Sequence, residues 1–286
     1  MRLMTLLCLT LIAFAANSVL GRAAVGNGLM DATGFGLLRL LSGAVMLLIL
    51  CRARGLKIAQ PRRMSLFGGA SLTLYMVGFA LAYKDLDAGL GALILFAVVQ
   101  ITMFAWGAFT NQRPGALQLM GAALALVGLA YVVWPRGGAA EVNLLAAALM
   151  AVSGLGWGIY SLLGRGVSVP LVSTALNFCW ASVMILPVLL YVGGGTVITL
   201  QGAVLAVVSG AITSGLGYAL WYSVLPQLPG PVAATVQLSV PVLAILGGAL
   251  FLAEPVGLAL VIGSALILGG IALVALAPKP KVVATS

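Results

Sequence analysis

The sequence predicts an all-α integral membrane protein with ten transmembrane helices. It reads as two inverted five-helix repeats, with both termini cytoplasmic. Three observations predict this. The chain is hydrophobic at 63% of positions and charged at 7%, with mean hydropathy +1.21, a composition foreign to soluble globular domains. Its charges are sorted by side. Weak internal similarities recur at nearly one spacing.

Apolar stretches of about 20 residues are long enough to cross a hydrocarbon core of about 30 Å. Ten are expected, at 3–21, 33–51, 64–83, 88–109, 116–134, 143–163, 171–192, 202–224, 232–252 and 256–276. Lipid offers backbone groups no hydrogen bonds, so each stretch should be helical. The gaps leave no room for a soluble domain. The Ala13-Phe14-Ala15 run resembles a signal-peptide cleavage site. The apolar run continues past it and has a counterpart in the second half, so 3–21 is expected to be the first helix.

The net charge of +9 records topology. With a cytoplasmic N-terminus, one side holds Arg2, Arg52, Arg54, Lys57, Arg62, Arg63, Arg113, Arg165, Lys279 and Lys281, and no acid. The other side mixes Arg22, Lys84 and Arg136 with Asp31, Asp85, Asp87, Glu141 and Glu254. This is the positive-inside pattern of a bacterial-type inner (plasma) membrane protein. No separate basic module exists to bind nucleic acid. Cys8, Cys51 and Cys179 fall in or at the ends of spans, with neither a disulfide framework nor metal-ligand spacing.

Asn17–Arg22 matches Tyr160–Arg165 after 143 residues, Gly121 and Gly128 match Gly263 and Gly270 after 142, and Gly89, Ala92 and Gly107 match Gly230, Ala233 and Gly248 after 141. Residues 1–137 and 138–286 are therefore read as two repeats, which places Asn177 opposite Arg39. Five is odd, so the second copy enters from the other side. Inverted repeats of this kind characterise secondary transporters, whose substrate sites lie near the midplane.

The arrangement resembles the drug/metabolite transporter superfamily in its EamA-type exporter branch. The matching residues are Asn17-Ser18, Leu38-Arg39-Leu40, Phe79–Tyr83 leading into Ala88–Ala92, and Gly121 with Gly128. In the second half they are Pro241, Gly247-Gly248, Glu254-Pro255, and Gly263 with Gly270. Gln100 departs from the pattern, standing where the first repeat commonly has the proline seen at Pro241. The resemblance implies export of small metabolites, and its nearest branch is similar to aromatic amino acid exporters.

Arg39 is the one basic or acidic residue deep in a span. Its helical face carries Ala32, Gly36, Ser42, Gly43 and Met46, opposite Leu37, Leu41 and Leu48. It should point into the bundle, since lipid exposure would cost at least about 2.5–3.5 kcal/mol. Two readings stay open. Arg39 binds a substrate carboxylate or switches hydrogen bonds between states, or it ties its helix to neighbouring carbonyls or Asn17. The expected cavity residues are Asn17, Arg39, Tyr75, Phe79, Phe96, Gln100, Trp157, Tyr160, Asn177 and Tyr218. Aromatic rings beside small and hydroxyl residues suit an amphipathic solute. Tyr83, Tyr131, Trp134 and Tyr191, near span ends, are expected in an interfacial belt. Pro187 and Pro241 should kink their helices and are candidate gating points. The small stripes of the fifth and tenth spans should pack closely, between halves or between subunits.

The chain has no histidine and no acid deep in a span, so proton coupling by an intramembrane relay is not expected. Asp31 and Glu254, near span ends, remain as coupling candidates. No phosphate-cradling loop points to ATP, and no nucleophile and base share a span, so the chain is not read as an enzyme. No cofactor or metal is expected. The sequence thus reads as a secondary transporter of amino acids, aromatic or apolar, or of similar small metabolites, exporting by alternating access. The alternatives are a nucleotide-sugar or phosphorylated-metabolite carrier, or a channel. The expected partners are a small-molecule substrate and lipid, and both a monomer and a homodimer stay open.

Overall fold

Helix starts are set by short polar caps in an otherwise apolar chain. Asp31 Oδ1 accepts from the Gly34 N–H at 2.8 Å, Asn143 Oδ1 from Ala146 at 3.1 Å, and Thr199 Oγ1 from Gly202 at 3.0 Å. Each occupies one of the donors that a helix start leaves unpaired. Pro170 opens its helix where a missing N–H costs nothing. Gly55, at φ +63°, follows the end of the second helix.

The computed structural model describes residues 2–109, 115–134, 142–165, 167–192, 197–227 and 236–277. Among them are nine helices long and apolar enough to cross a membrane: Arg2–Gly26, Ala32–Ala53, Arg62–Ala82, Ala88–Gly107, Ala116–Val133, Leu144–Leu163, Pro170–Tyr191, Leu200–Val224 and Leu258–Leu276. A shorter apolar helix, Ser239–Leu252, precedes the last. In chain order these are spans 1 to 8, then 10, with Ser239–Leu252 as span 9. Nine fall on stretches read from the sequence, and Ser239–Leu252 covers the last 14 residues of the stretch expected at 232–252. Arg113, Arg136, Glu141, Gly230, Ala233, Lys279 and Lys281, and the 137/138 boundary, lie outside the described residues.

Two spans change their winding. Span 1 ends in π-helix at Arg22–Gly26, and span 8 runs as π-helix over Val208–Leu216. Span 7 is interrupted at Ile185, two residues before Pro187. That proline has no N–H for the Val183 carbonyl, and its ring crowds it. Pro241 does not interrupt Ser239–Leu252; it sits in the first turn of that helix, after a turn at Leu238.

Packing follows the small residues. Span 2 packs against spans 7 and 8, span 3 against 6 and 7, and span 4 against 6 and 9. Span 1 packs against 8 and 9. Spans 5 and 10 pack on each other within one chain, which decides what their small stripes meet. A Cβ at Gly270 would lie 2.5 Å from the Gly121 carbonyl oxygen and 2.6 Å from the Ala125 nitrogen. Both are backbone atoms, so neither can yield. Leu41, Val45 and Ile49 are exposed on the outer face of span 2, opposite buried Arg39. Trp134 and Tyr191 are 68% and 93% exposed, as an interfacial belt requires, and Tyr131 is half-buried. Tyr83 corrects that expectation. It is fully buried, edge-on to Phe79 at 4.6 Å, and donates to the Ala88 carbonyl at 3.3 Å.

The span 5–10 contact predicts a position-specific effect. Gly270→Leu should destabilise the protein by about 1–3 kcal/mol or more through overpacking. Gly269→Leu, with nothing within 4 Å of its Cβ site, should melt like the wild type. Thermal melts of both variants in detergent check this, and equal melting temperatures would contradict the close approach.

Candidate functional site: a central cavity

The site is built outward from Arg39. Its guanidinium is fully buried in span 2. Nη2 donates to the Tyr75 hydroxyl at 3.0 Å, and both Nη2 and Nε donate to Ser214 Oγ at 3.2 and 3.3 Å. The guanidinium carbon stands 4.6 Å from the Phe79 ring centre and 5.5 Å from that of Tyr75, so ring faces take part of the charge. Nη1 has no hydrogen-bond partner. Among the described residues no carboxylate lies within ion-pair distance of Arg39.

The π-wound stretch of span 8 extends this network to span 1. Asn17 Oδ1 accepts from Ser209 Oγ at 2.9 Å, Thr213 Oγ1 at 2.7 Å and Ser214 Oγ at 3.2 Å. Arg39 therefore connects to Asn17 through Ser214. Gly210 lets span 8 lie on span 2, because a Cβ there would strike the Arg39 carbonyl and Ser42 Oγ.

In front of Arg39 lies a cavity of about 940 Å³, the size of a small-molecule site. Asn17, Tyr75, Phe79, Phe96, Gln100, Trp157, Tyr160, Asn177 and Tyr218 all line it. Arg39 does not; it stands behind Tyr75 and Phe79. Trp157 stacks between Tyr160 and Tyr218 at 5.2 and 5.4 Å, and Phe14 meets Tyr218 edge-on at 5.7 Å. One wall is polar: Tyr160 donates to Thr174 at 3.2 Å, and Thr174 shares a 2.8 Å bond with Tyr222.

Sequence reasoning missed Ser209 and Thr213 as partners of Asn17. Their spacing with Ser214 was visible, but α-helical winding would not bring all three to one atom. It also missed Phe14, Arg63 and Arg165 as lining residues. The two arginines stand at the cavity end formed by the start of span 3 and the loop after span 6.

The opposite end is tied shut. Arg22 Nε meets Glu254 Oε1 at 3.3 Å, and Arg22 Nη2 lies 3.7 Å from Asp87 Oδ1. Arg22 Nη1 donates to the carbonyls of Tyr83 and Lys84 at 3.3 and 2.8 Å. Both Glu254 carboxylate oxygens accept from the Ala88 N–H, at 3.0 and 2.9 Å. A second tie joins Met30 to Ile198 in a single β-bridge. Burial pushes the Glu254 carboxyl up, the Ala88 N–H partly offsets this, Asp87 adds to it and Arg22 lowers it.

Asn17→Leu should leave the buried Ser209 and Ser214 hydroxyls without their acceptor, while Thr213 keeps the Ser209 carbonyl. The expected cost is at least about 1–3 kcal/mol. Ser214→Ala should cost less, since Arg39 keeps Tyr75. A detergent melting series checks the order, and an Asn17→Leu melt matching that of Ser214→Ala would contradict it.

Known proteins share this architecture. The EamA-like transporter family model matches residues 144–276. The chain is 46% identical to the uncharacterized protein PA1977 of Pseudomonas aeruginosa, across 97% of this chain and 96% of the relative. It is 25% identical to the threonine/homoserine exporter RhtA of Salmonella typhimurium, over 79% of this chain and 76% of that one. A crystal structure superposes with a TM-score of 0.63 at 23% identity, covering 94% of this chain and 98% of the other, a likeness of fold. The ten apolar helices, the matched second half and the near-full-length relative agree: the chain belongs to the EamA-like transporter family.

Proposed function

We propose that this protein is an exporter that moves amino acids with aromatic or apolar side chains, or similar small metabolites, across the inner membrane by alternating access. The observation that carries the reading is the cavity, lined by rings and hydroxyls, which ends among loop residues at one end and is tied shut at the other. Kinship to a threonine/homoserine exporter supports amino acids as the substrate class. Tyr75, Phe79, Trp157 and Tyr218 would receive an apolar side chain. Arg39 positions Tyr75 and gives the cavity as a whole a positive potential that favours a solute bearing a carboxylate.

Helix pairing supports two inverted repeats at 1–137 and 138–286. Exchanging spans 1–5 with 6–10 turns the 3–6 pair into 8–1, the 4–6 pair into 9–1 and the 2–8 pair into 7–3, all present. The positive-inside pattern favours cytoplasmic termini, so the end bearing Arg63 and Arg165 would face the cytoplasm. In that orientation this is the inward-open state. The Arg22–Glu254–Asp87 cluster is then the outer gate, and the break at Ile185 before Pro187 is a place for span 7 to bend. A phosphorylated-metabolite carrier draws on Arg63 and Arg165, but both are exposed at the mouth.

Uptake of labelled amino acids into liposomes containing only this protein tests the reading. Aromatic amino acids should accumulate above protein-free liposomes. Transport of other metabolites with no aromatic amino acid carried would sink the narrower assignment. Arg39→Met should abolish transport while the protein still folds; a lowered melting temperature as the main effect would favour a purely structural role.

The gate should respond to pH with a definite sign. The closed end raises the Glu254 pKa, so protons bind the closed state more tightly and favour it. Raising pH above the ordinary glutamate range should favour opening. A Ser18→Cys probe on a background lacking other cysteines reports this through labelling by an impermeant maleimide. Labelling should rise more steeply with pH in the parent than in its Glu254→Gln derivative, where only thiol chemistry titrates. Equal slopes would refute the link.

A further inference from the structure

The polar wall of the cavity contains an acceptor with no donor. Asn177 is 5% exposed, lines the cavity, and its Oδ1 has no hydrogen-bond partner. Its amide nitrogen reaches Ser173 Oγ at 3.5 Å and neighbours the Tyr160 hydroxyl. Gly68 of span 3 makes room for this amide, because a Cβ there would lie 2.5 Å from Oδ1 and 2.6 Å from Nδ2. Leaving a buried carbonyl unpaired is costly, and a ligand N–H would recover that cost.

A donor stands beside it. Tyr160, Thr174 and Tyr222 are three hydroxyls joined by two hydrogen bonds. Tyr160 and Tyr222 also interact directly, so the three hydroxyls form one cluster whose protons can turn toward a ligand acceptor. Thr174 and Asn177 are three residues apart on span 7 and share a face. Among the described residues no carboxylate lines the cavity, while Arg63 and Arg165 stand at its mouth and Arg39 behind its floor. A simple cation would enter a positive field with no counter-charge. A zwitterion brings its own.

We infer that Asn177 Oδ1 accepts a hydrogen bond from the α-ammonium group of a zwitterionic substrate, whose carboxylate faces the hydroxyl cluster of Tyr160, Thr174 and Tyr222. The side chain then rests on Trp157, Tyr218, Tyr75 and Phe79. This rests on the transport reading above and adds to it the anchor for the substrate's polar end. Asn177 is thereby a specificity-determining residue that requires an amine.

Calorimetric titration of the full chain in detergent tests it with four probes: L-phenylalanine, L-threonine, and their desamino counterparts 3-phenylpropionate and 3-hydroxybutyrate. Asn177→Leu should weaken both amino acids by about tenfold or more and the desamino acids by less than about twofold. Gly68→Ala displaces the amide without changing its chemistry and should repeat the selective loss. If neither variant folds, the isosteric Asn177→Asp serves. It should raise affinity for phenethylamine, which has the amine alone, and lower that for 3-phenylpropionate. Parallel losses on amino and desamino acids, no loss in any variant, or a wild-type preference for desamino acids overturns the inference. So does a wild type that transports other metabolites in liposomes yet binds neither amino acid, an outcome that leaves the transporter reading standing. Absence of all transport removes both.

Discussion

A guanidinium buried between four helices, with no carboxylate beside it, sets the terms for the centre of this bundle. Burial takes the Arg39 guanidinium out of water, so its desolvation must be met by hydrogen bonds and by ring faces. Ser214 and Tyr75 accept from it, and Phe79 lies under it. Those partners come from spans 8 and 3, and Ser214 passes the connection to Asn17 of span 1. Four helices thus have their depth and rotation fixed by one side chain. Two of the partners, Tyr75 and Phe79, are also cavity floor, so the network that stabilises the centre shapes the surface a solute would meet.

The two ends of the bundle are held by different chemistry. At the acidic end, Arg22 and Glu254 gather backbone groups from the span 3–4 loop, joining three segments far apart in sequence. At the basic end, Arg63 and Arg165 are exposed and make no ion pair among the described residues. Two like charges at one mouth give that end no electrostatic reason to close. Between the ends, the tight glycine contact of spans 5 and 10 makes a rigid support away from the cavity.

Much of the site was legible from residue spacing. Arg39 could be aimed inward because its own face is small and polar and Leu37, Leu41 and Leu48 fill the opposite one, and the aromatic residues near span centres fall on the cavity. Legibility failed where helical periodicity itself changed. The π-wound Val208–Leu216 stretch rotates Ser209, Thr213 and Ser214 onto a single oxygen, a convergence that a 3.6-residue period hides. It failed also at Tyr83, where position near a span end pointed to the headgroup belt. Burial there depends on Gly91 and Phe79, which only folding brings against the ring.

By itself the sequence determined the number of apolar spans, their helical character and the inward face of span 2. All of these follow from local hydropathy and helical geometry, which need no knowledge of neighbours. Only the tertiary structure decided that Arg39 stands behind the cavity wall instead of lining it, that spans 5 and 10 meet each other, and that Asn177 presents an unpaired carbonyl to the cavity. Those facts depend on which helices touch and at what height. That is set by steric fit at positions such as Gly210 and Gly68, where the absence of one carbon admits a distant side chain or backbone.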